Sequence, residues 1–151
     1  MCAARGGVFL ESEFQNLGML RMFAERAGID ARNIVPQYVE QPRDAIAILK
    51  SRAWPIAVVD SLNALCGASA PRGYVKETLE RLRNAASMHG TTLIVILQVT
   101  KSGSANAPTW VEHMVDTTVS LSRSSIIVTK NRFGERCRIK RASRAGLRAV
   151  A

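Results

Sequence analysis

Three stretches of the 151-residue sequence run from apolar residues into a polar side chain in a way that suits phosphate chemistry. Gly7-Val-Phe-Leu-Glu11 ends in an acid, with Glu13 two residues on. Ile56-Ala-Val-Val-Asp60 ends in an acid followed by Ser61, and Thr92-Leu-Ile-Val-Ile-Leu97 is followed by Gln98. A carboxylate fixed at the end of a buried strand, such as Asp60, can hold a water of a nucleotide-bound Mg²⁺ beside the phosphates. A glutamate on a neighbouring strand can orient an attacking water, and a glutamine can sense the γ-phosphate. Taken one at a time, an acid at a strand end is more often a helix cap or a solvated turn.

Such chemistry requires elements that bring the three positions to one edge. Phe14, Leu17, Leu20, Ala24 and Ala27 recur at helical spacing before Gly28, and Ala45 to Leu49 form a second apolar-periodic stretch that stops near Trp54-Pro55. Val75, Thr78, Leu79, Leu82, Ala85 and Ala86 mark a third helix, ending near His89-Gly90. Strands alternating with helices predict an α/β domain with a mostly parallel sheet flanked by helices, and in open parallel sheets ligands bind at the carboxyl edge. Thr117 to Leu121, Ser125 to Lys130 and Arg136 to Lys140 read as three further short strands, a smaller strand-rich element at the C-terminal end. Residues 66–73 and 99–109 have loop composition, and no interdomain linker is visible, so a single domain over 1–151 is predicted.

With 47% hydrophobic and 22% charged residues, the chain can bury a core and is neither disordered nor fibrous. No apolar run approaches the roughly 18 residues of a membrane helix, and the first residues turn acidic before a signal-peptide core forms, so a cytoplasmic protein without a membrane partner is expected. Cys2, Cys66 and Cys137 lack CxxC spacing, and neither His89 nor His113 has a second ligand at metal-site spacing. Both histidines are assigned to structure. The net charge of +9 is unevenly placed: residues 1–122 hold twelve basic and eleven acidic side chains, and residues 123–151 hold nine and one. That basic end suits either a polyanionic partner or a solvated, charge-guarded edge strand.

The wording of several segments is more specific. Ile56-Ala-Val-Val-Asp-Ser61 resembles the Walker B strand of RecA-like ATPases. Val99-Thr-Lys-Ser-Gly103 with Pro108, then Glu112-His-Met-Val-Asp-Thr117, then Lys130-Asn-Arg-Phe-Gly134, resemble the bacterial RadA (Sms) DNA-repair family, of which KNRFG is a signature. The resemblance runs from Val8 to Val150. It implies a RecA-like P-loop NTPase core that acts in DNA recombination and repair, uses ATP and Mg²⁺, and assembles as a homo-oligomeric ring, a hexamer in the family. Single-stranded or branched DNA and a recombinase would be its partners.

Residue by residue, the resemblance gives Glu13 the place of the catalytic glutamate, although the family's Gly-Glu-Glu-Ser reads Ser-Glu-Phe-Gln here. Asp60 takes the metal-water role, with Ser61 following it. Gln98 stands where the family has a histidine and where RecA itself and replicative helicases have a glutamine. Lys130 and Arg132 resemble residues that reach a neighbouring subunit's nucleotide to supply positive charge to the transferred phosphoryl. The segments 66–74 and 99–109 match positions that face the central channel, so Arg72, Lys101, Ser102, Gly103 and Ser104 are expected to contact DNA. Tyr74 and Trp110 are candidates to stack a base or to pack against their own loops.

The motif G-x-x-x-x-G-K-[ST], whose amides and lysine hold the phosphates, does not occur in these residues. Cys2-Ala-Ala-Arg-Gly-Gly7 resembles the tail of the helix that ordinarily follows it, and neither the family's zinc-binding segment nor its Lon-like domain is represented. The expectation is a fragment, or a naturally reduced protein, truncated at its N-terminus and inactive alone in ATP hydrolysis, with an exposed apolar seam where the family's central strand would lie. A non-enzymatic, basic nucleic-acid-binding or ring-poisoning module is the alternative reading. A replicative-helicase-like ATPase is a weaker one, which Phe133 and EHMVDT oppose.

Overall fold

In a computed structural model of the chain, residues 6–13, 17–26, 28, 30–98, 109–122 and 125–140 are described. They divide into two compact units, residues 1–98 and 99–151.

The first unit is built on a four-stranded parallel sheet, strands β1 (Gly7–Glu11), β2 (Ile34–Tyr38), β3 (Ile56–Asp60) and β4 (Thr92–Val95), in the order β2-β1-β3-β4. Period-two alternation puts Val8, Leu10, Ala57 and Val59 on one face, and all four are fully buried. The core is completed by helices α2 (Pro42–Ser51) and α4 (Arg72–Ser87), which pack on each other. Their apolar residues, Ala45, Ile46 and Leu49 on one and Thr78, Leu79, Leu82, Ala85 and Ala86 on the other, recur at helical spacing and are buried. Leu10, Leu49 and Leu82 are each completely enclosed, a burial that stabilises by about 1.5–3 kcal/mol per side chain. Pro42 at the first turn of α2, Asp44 beside it and Lys50 in the last turn suit the helix dipole. Helix α1 (Leu17–Arg26) lies along β2 and keeps Met19, Met22 and Phe23 exposed. The short α3 (Leu62–Cys66) follows β3 directly. At Gly6 a Cβ would stand 2.6 Å from the Asn33 carbonyl oxygen, so the entry to β1 tolerates only glycine.

Strand β3 pairs directly with β4, Val59 against Val95, and the ladder runs on as Ile96 N–H donates to the Val59 carbonyl at 2.9 Å. Parallel backbones that meet in register satisfy each other's donors and acceptors. Among the described strands β4 ends the sheet, and on the sheet's second face Ile56 and Ile94 remain 45% and 47% exposed. The loop expected through Gly73 ends earlier, because Arg72, Gly73 and Tyr74 form the first turn of α4. Pro71 before them presets the backbone for that turn.

The second unit holds the short α5 (Thr109–Met114) and an antiparallel sheet of β5 (Thr117–Leu121), β6 (Ser125–Asn131) and β7 (Arg138–Lys140), with β6 central. A bulge interrupts the β5–β6 register between Thr118 and Val119. No described helix of either unit is long and apolar enough to cross a membrane.

Candidate active site

The register of the first sheet sets the site. Glu11 pairs with Asp60, so the carboxyl ends of β1 and β3 lie level. Past those ends Ser12 ties the two strands: its N–H donates to the Asp60 carbonyl at 2.9 Å, and its hydroxyl donates to the carbonyls of Asp60 and Ser61 at 3.1 and 3.0 Å. Glu11 is only 2% exposed, and the Glu13 N–H donates to its Oε1 at 2.7 Å. Asp60 is joined to Ser61 by a cis peptide bond.

Ser61 is the hinge pin of the cluster. Its hydroxyl accepts the Ala64 N–H at 3.3 Å, capping α3, and donates to Glu13 Oε1 at 2.7 Å. Gln98, beyond β4, donates its side-chain N–H to the same Glu13 oxygen, while its backbone N–H donates to Asn63 Oδ1 at 3.0 Å. Glu13 therefore holds two donors on Oε1, and among the described residues Oε2 has no partner. Glu13, Asp60, Ser61 and Gln98, three segments of sequence, are brought together as the spacing predicts. Ser12 and Asn63, which hold the segments in place, were not read from the sequence, because a serine between two acids and an asparagine in a helix's first turn are ordinary residues for such places.

Electrostatics bear on Asp60 most. Burial raises its pKa above the ordinary carboxylate value, and the negative charges of Glu11 and Glu13 add to the shift. Such a site, all oxygen donors with excess negative charge, has the chemistry of a hard cation. Among the described residues no three acids, cysteines or histidines could ligate a metal ion together. Asp60 is the residue of the cluster whose carboxyl is most perturbed.

Of the other sequence-predicted residues, Arg72 is in the first unit and Lys130 and Arg132 are in the second. Lys130, on β6 in the second unit, donates its ammonium to the Glu112 and Val115 carbonyls, at 2.8 Å to the latter, and so ties down the C-terminal end of α5. Arg132 pairs with Asp116 at 2.8 Å, both side chains more than half exposed. Arg72 opens α4 and is exposed. Lys101, Ser102, Gly103 and Ser104 fall outside the described residues.

Comparison with solved structures gives a match to the KaiC-like protein PH0186 of the hyperthermophilic archaeon Pyrococcus horikoshii OT3, with a TM-score of 0.63 at 16% identity, over 90% of this chain and 72% of that one. The fold is RecA-like. Among curated proteins, the DNA repair protein RadA of Treponema pallidum (strain Nichols) is 30% identical over 129 residues, 78% of this chain. The chain spans 28% of that relative's length. No family model matches the sequence. Asp60 ends the central strand β3, and Glu13 lies two residues past the end of the adjoining β1, both at the carboxyl edge of the parallel sheet.

Proposed function

We propose that these residues belong to the core of a RecA-like, DNA-stimulated ATPase of the RadA kind, acting on single-stranded or branched DNA in recombination and repair as a homo-oligomeric ring. The observation that carries the reading is the convergence of Glu13, Asp60, Ser61 and Gln98 at the carboxyl edge of the parallel sheet. The 30% identity to a DNA repair protein supports the biological setting. In this reading ATP with Mg²⁺ supplies the transferable phosphoryl group and neutralises its charge. With these groups bound, Glu13 would accept the hydrogen bond of the attacking water through Oε2, Asp60 would hold a water of the metal, and Gln98 would exchange Glu13 for a γ-phosphate oxygen. Arg132, whose guanidinium reaches solvent, serves a neighbouring subunit. Lys130 acts first by fixing α5, and Arg72 with the segment 101–104 meets DNA.

Because the 151 residues contain no G-x-x-x-x-G-K-[ST], the phosphate cradle is not among the groups they supply. The test is ATP hydrolysis, with and without single-stranded DNA, by the 151-residue protein and by a version extended with in-frame upstream codons. Turnover by the extended form alone, lost in Glu13→Gln, is the expected result. If neither form turns over and the protein still binds DNA, the non-enzymatic binding module is the better reading, one that the nine basic and single acidic residues of 123–151 favour.

A further inference from the structure

The turn between β6 and β7 shows a large aromatic side chain to water without a packing reason. Phe133 is 81% exposed, yet the backbone that carries it is well tied. Asn131 Oδ1 accepts the Phe133 N–H at 3.2 Å and faces the Thr117 hydroxyl at 3.3 Å, and Asn131 Nδ2 donates to the Glu135 carbonyl at 3.3 Å. The Arg132 N–H donates to the Asp116 carbonyl at 2.9 Å. A Cβ on Gly134 would stand 2.9 Å from Asn131 Nδ2, so glycine there lets the turn close. A rigid turn presenting a solvated ring loses little side-chain freedom when the ring is covered.

Its surroundings specify what would cover it. Arg136 and Arg138 follow at alternate positions, both exposed, and neither forms an ion pair among the described residues. Beside β6 a groove of about 600 Å³ runs between Ile127, Val128 and Thr129 and the two arginines, with Glu112 the single acid in its lining. An apolar partner would leave these cations facing it unpaired, whereas a strand of nucleotides offers a flat ring for Phe133 and a phosphate for each arginine.

We infer that the β6–β7 turn is a single-stranded nucleic-acid contact, in which Phe133 stacks on a base and Arg136 and Arg138 take the adjoining phosphates in the groove. The site lies in the second unit, distinct from the carboxylate cluster and from the segments expected to line a channel. It rests on the proposed function for the choice of DNA as the natural strand, and its test needs no nucleotide, so failure of hydrolysis and failure of this contact are read separately.

The test is fluorescence anisotropy of the whole chain with a fluorescein-labelled strand of about 16 thymidines and with an abasic strand of equal length. The wild type is expected to bind the thymidine strand more tightly, and Phe133→Ala to weaken that binding about 5- to 150-fold while leaving the abasic strand unaffected. Phe133→Trp should keep the preference. Arg136→Ala with Arg138→Ala should lower the slope of log affinity against log salt by about 1.4 on both strands. Equal binding of the two strands by the wild type, or a preference that survives Phe133→Ala, overturns the inference. So does a Phe133→Ala protein that loses self-association in size-exclusion chromatography with DNA affinity intact, since the turn would then join copies of the chain.

Discussion

Replacing Ser61 by alanine tests the arrangement of the carboxylate cluster most directly. The side chain is completely buried and makes two hydrogen bonds, one as the acceptor that caps α3 and one as a donor to Glu13. Loss of a serine cap costs about 1 kcal/mol, and loss of a hydrogen bond to a charged group about 1.5 kcal/mol at the lower end of its range, appropriate because Glu13 is exposed. The alanine protein should therefore be less stable by about 2–3 kcal/mol, a large part of the roughly 5–15 kcal/mol that holds a domain together. Urea unfolding followed by the fluorescence of Trp54, 7% exposed in the first unit, measures it in a background where Trp110 of the second unit is phenylalanine. Repeating the substitution in a Glu13→Ala background separates the two bonds: the cap remains to be lost and the donor bond does not, so the cost should fall to about 1 kcal/mol. A cost below about 1 kcal/mol in the first background, or one unchanged in the second, would refute the bridging role of the Ser61 hydroxyl.

Asp60 carries a pH signature. Its folded pKa is raised, so its contribution to stability is fully present below the ordinary carboxylate pKa and is lost as pH rises through the raised value; Asp60→Asn should flatten the urea midpoint over that acid range and leave it higher at neutral pH. Lys130→Met should release the carbonyls at the end of α5, speeding hydrogen exchange of the α5 amides and lowering second-unit stability by about 1–3 kcal/mol, even in dilute protein where no ring can form. Thr118 has a buried hydroxyl without a partner among the described residues, so the equal-sized Thr118→Val should stabilise the β5–β6 pair by about 1 kcal/mol in thermal unfolding. Gly134→Ala should cost about 1 kcal/mol and disorder the turn that carries Phe133, visible as lost amide dispersion at residues 131–135, because Asn131 cannot retreat without giving up the Glu135 carbonyl.

Much of the first sheet was legible in the sequence because its central strands are apolar on both faces: Val8 to Leu10 and Ile56 to Val59 interrupt the helical period unmistakably. Strand β2, Ile-Val-Pro-Gln-Tyr, was not, since it is an edge strand with Pro36 inside it and three of its five residues exposed. Helices α3 and α5, of five and six residues, are too short to show a period. Direct pairing of β3 with β4 was beyond a sequence reading, because it depends on two backbones finding each other rather than on either one's pattern. In the site, acids at strand ends announced themselves, and what stayed hidden was their sharing: that Ser61 and Gln98 both turn to one oxygen of Glu13 follows from the placement of α3 and of the end of β4. Lys130 shows the opposite case, a residue legible as a motif whose ammonium is held by the carbonyls of α5.

The strand order has a consequence for how the first unit comes into being. β1, first of the four strands in sequence, is interior in the sheet and needs partners on both sides, β2 beginning at Ile34 and β3 at Ile56. Every pairing in the sheet is parallel, so none can nucleate as a local hairpin, and each requires a crossover to be closed first. On a ribosome, among these four strands Val8, Phe9 and Leu10 therefore find a first partner only after some twenty-five further residues and a second only after some fifty. The second unit, whose strands join neighbour to neighbour through short turns, has no such wait. The C-terminal part of the chain is thus the quick folder, and the N-terminal part, which carries the carboxylate cluster, is where a chaperone would have most to hold.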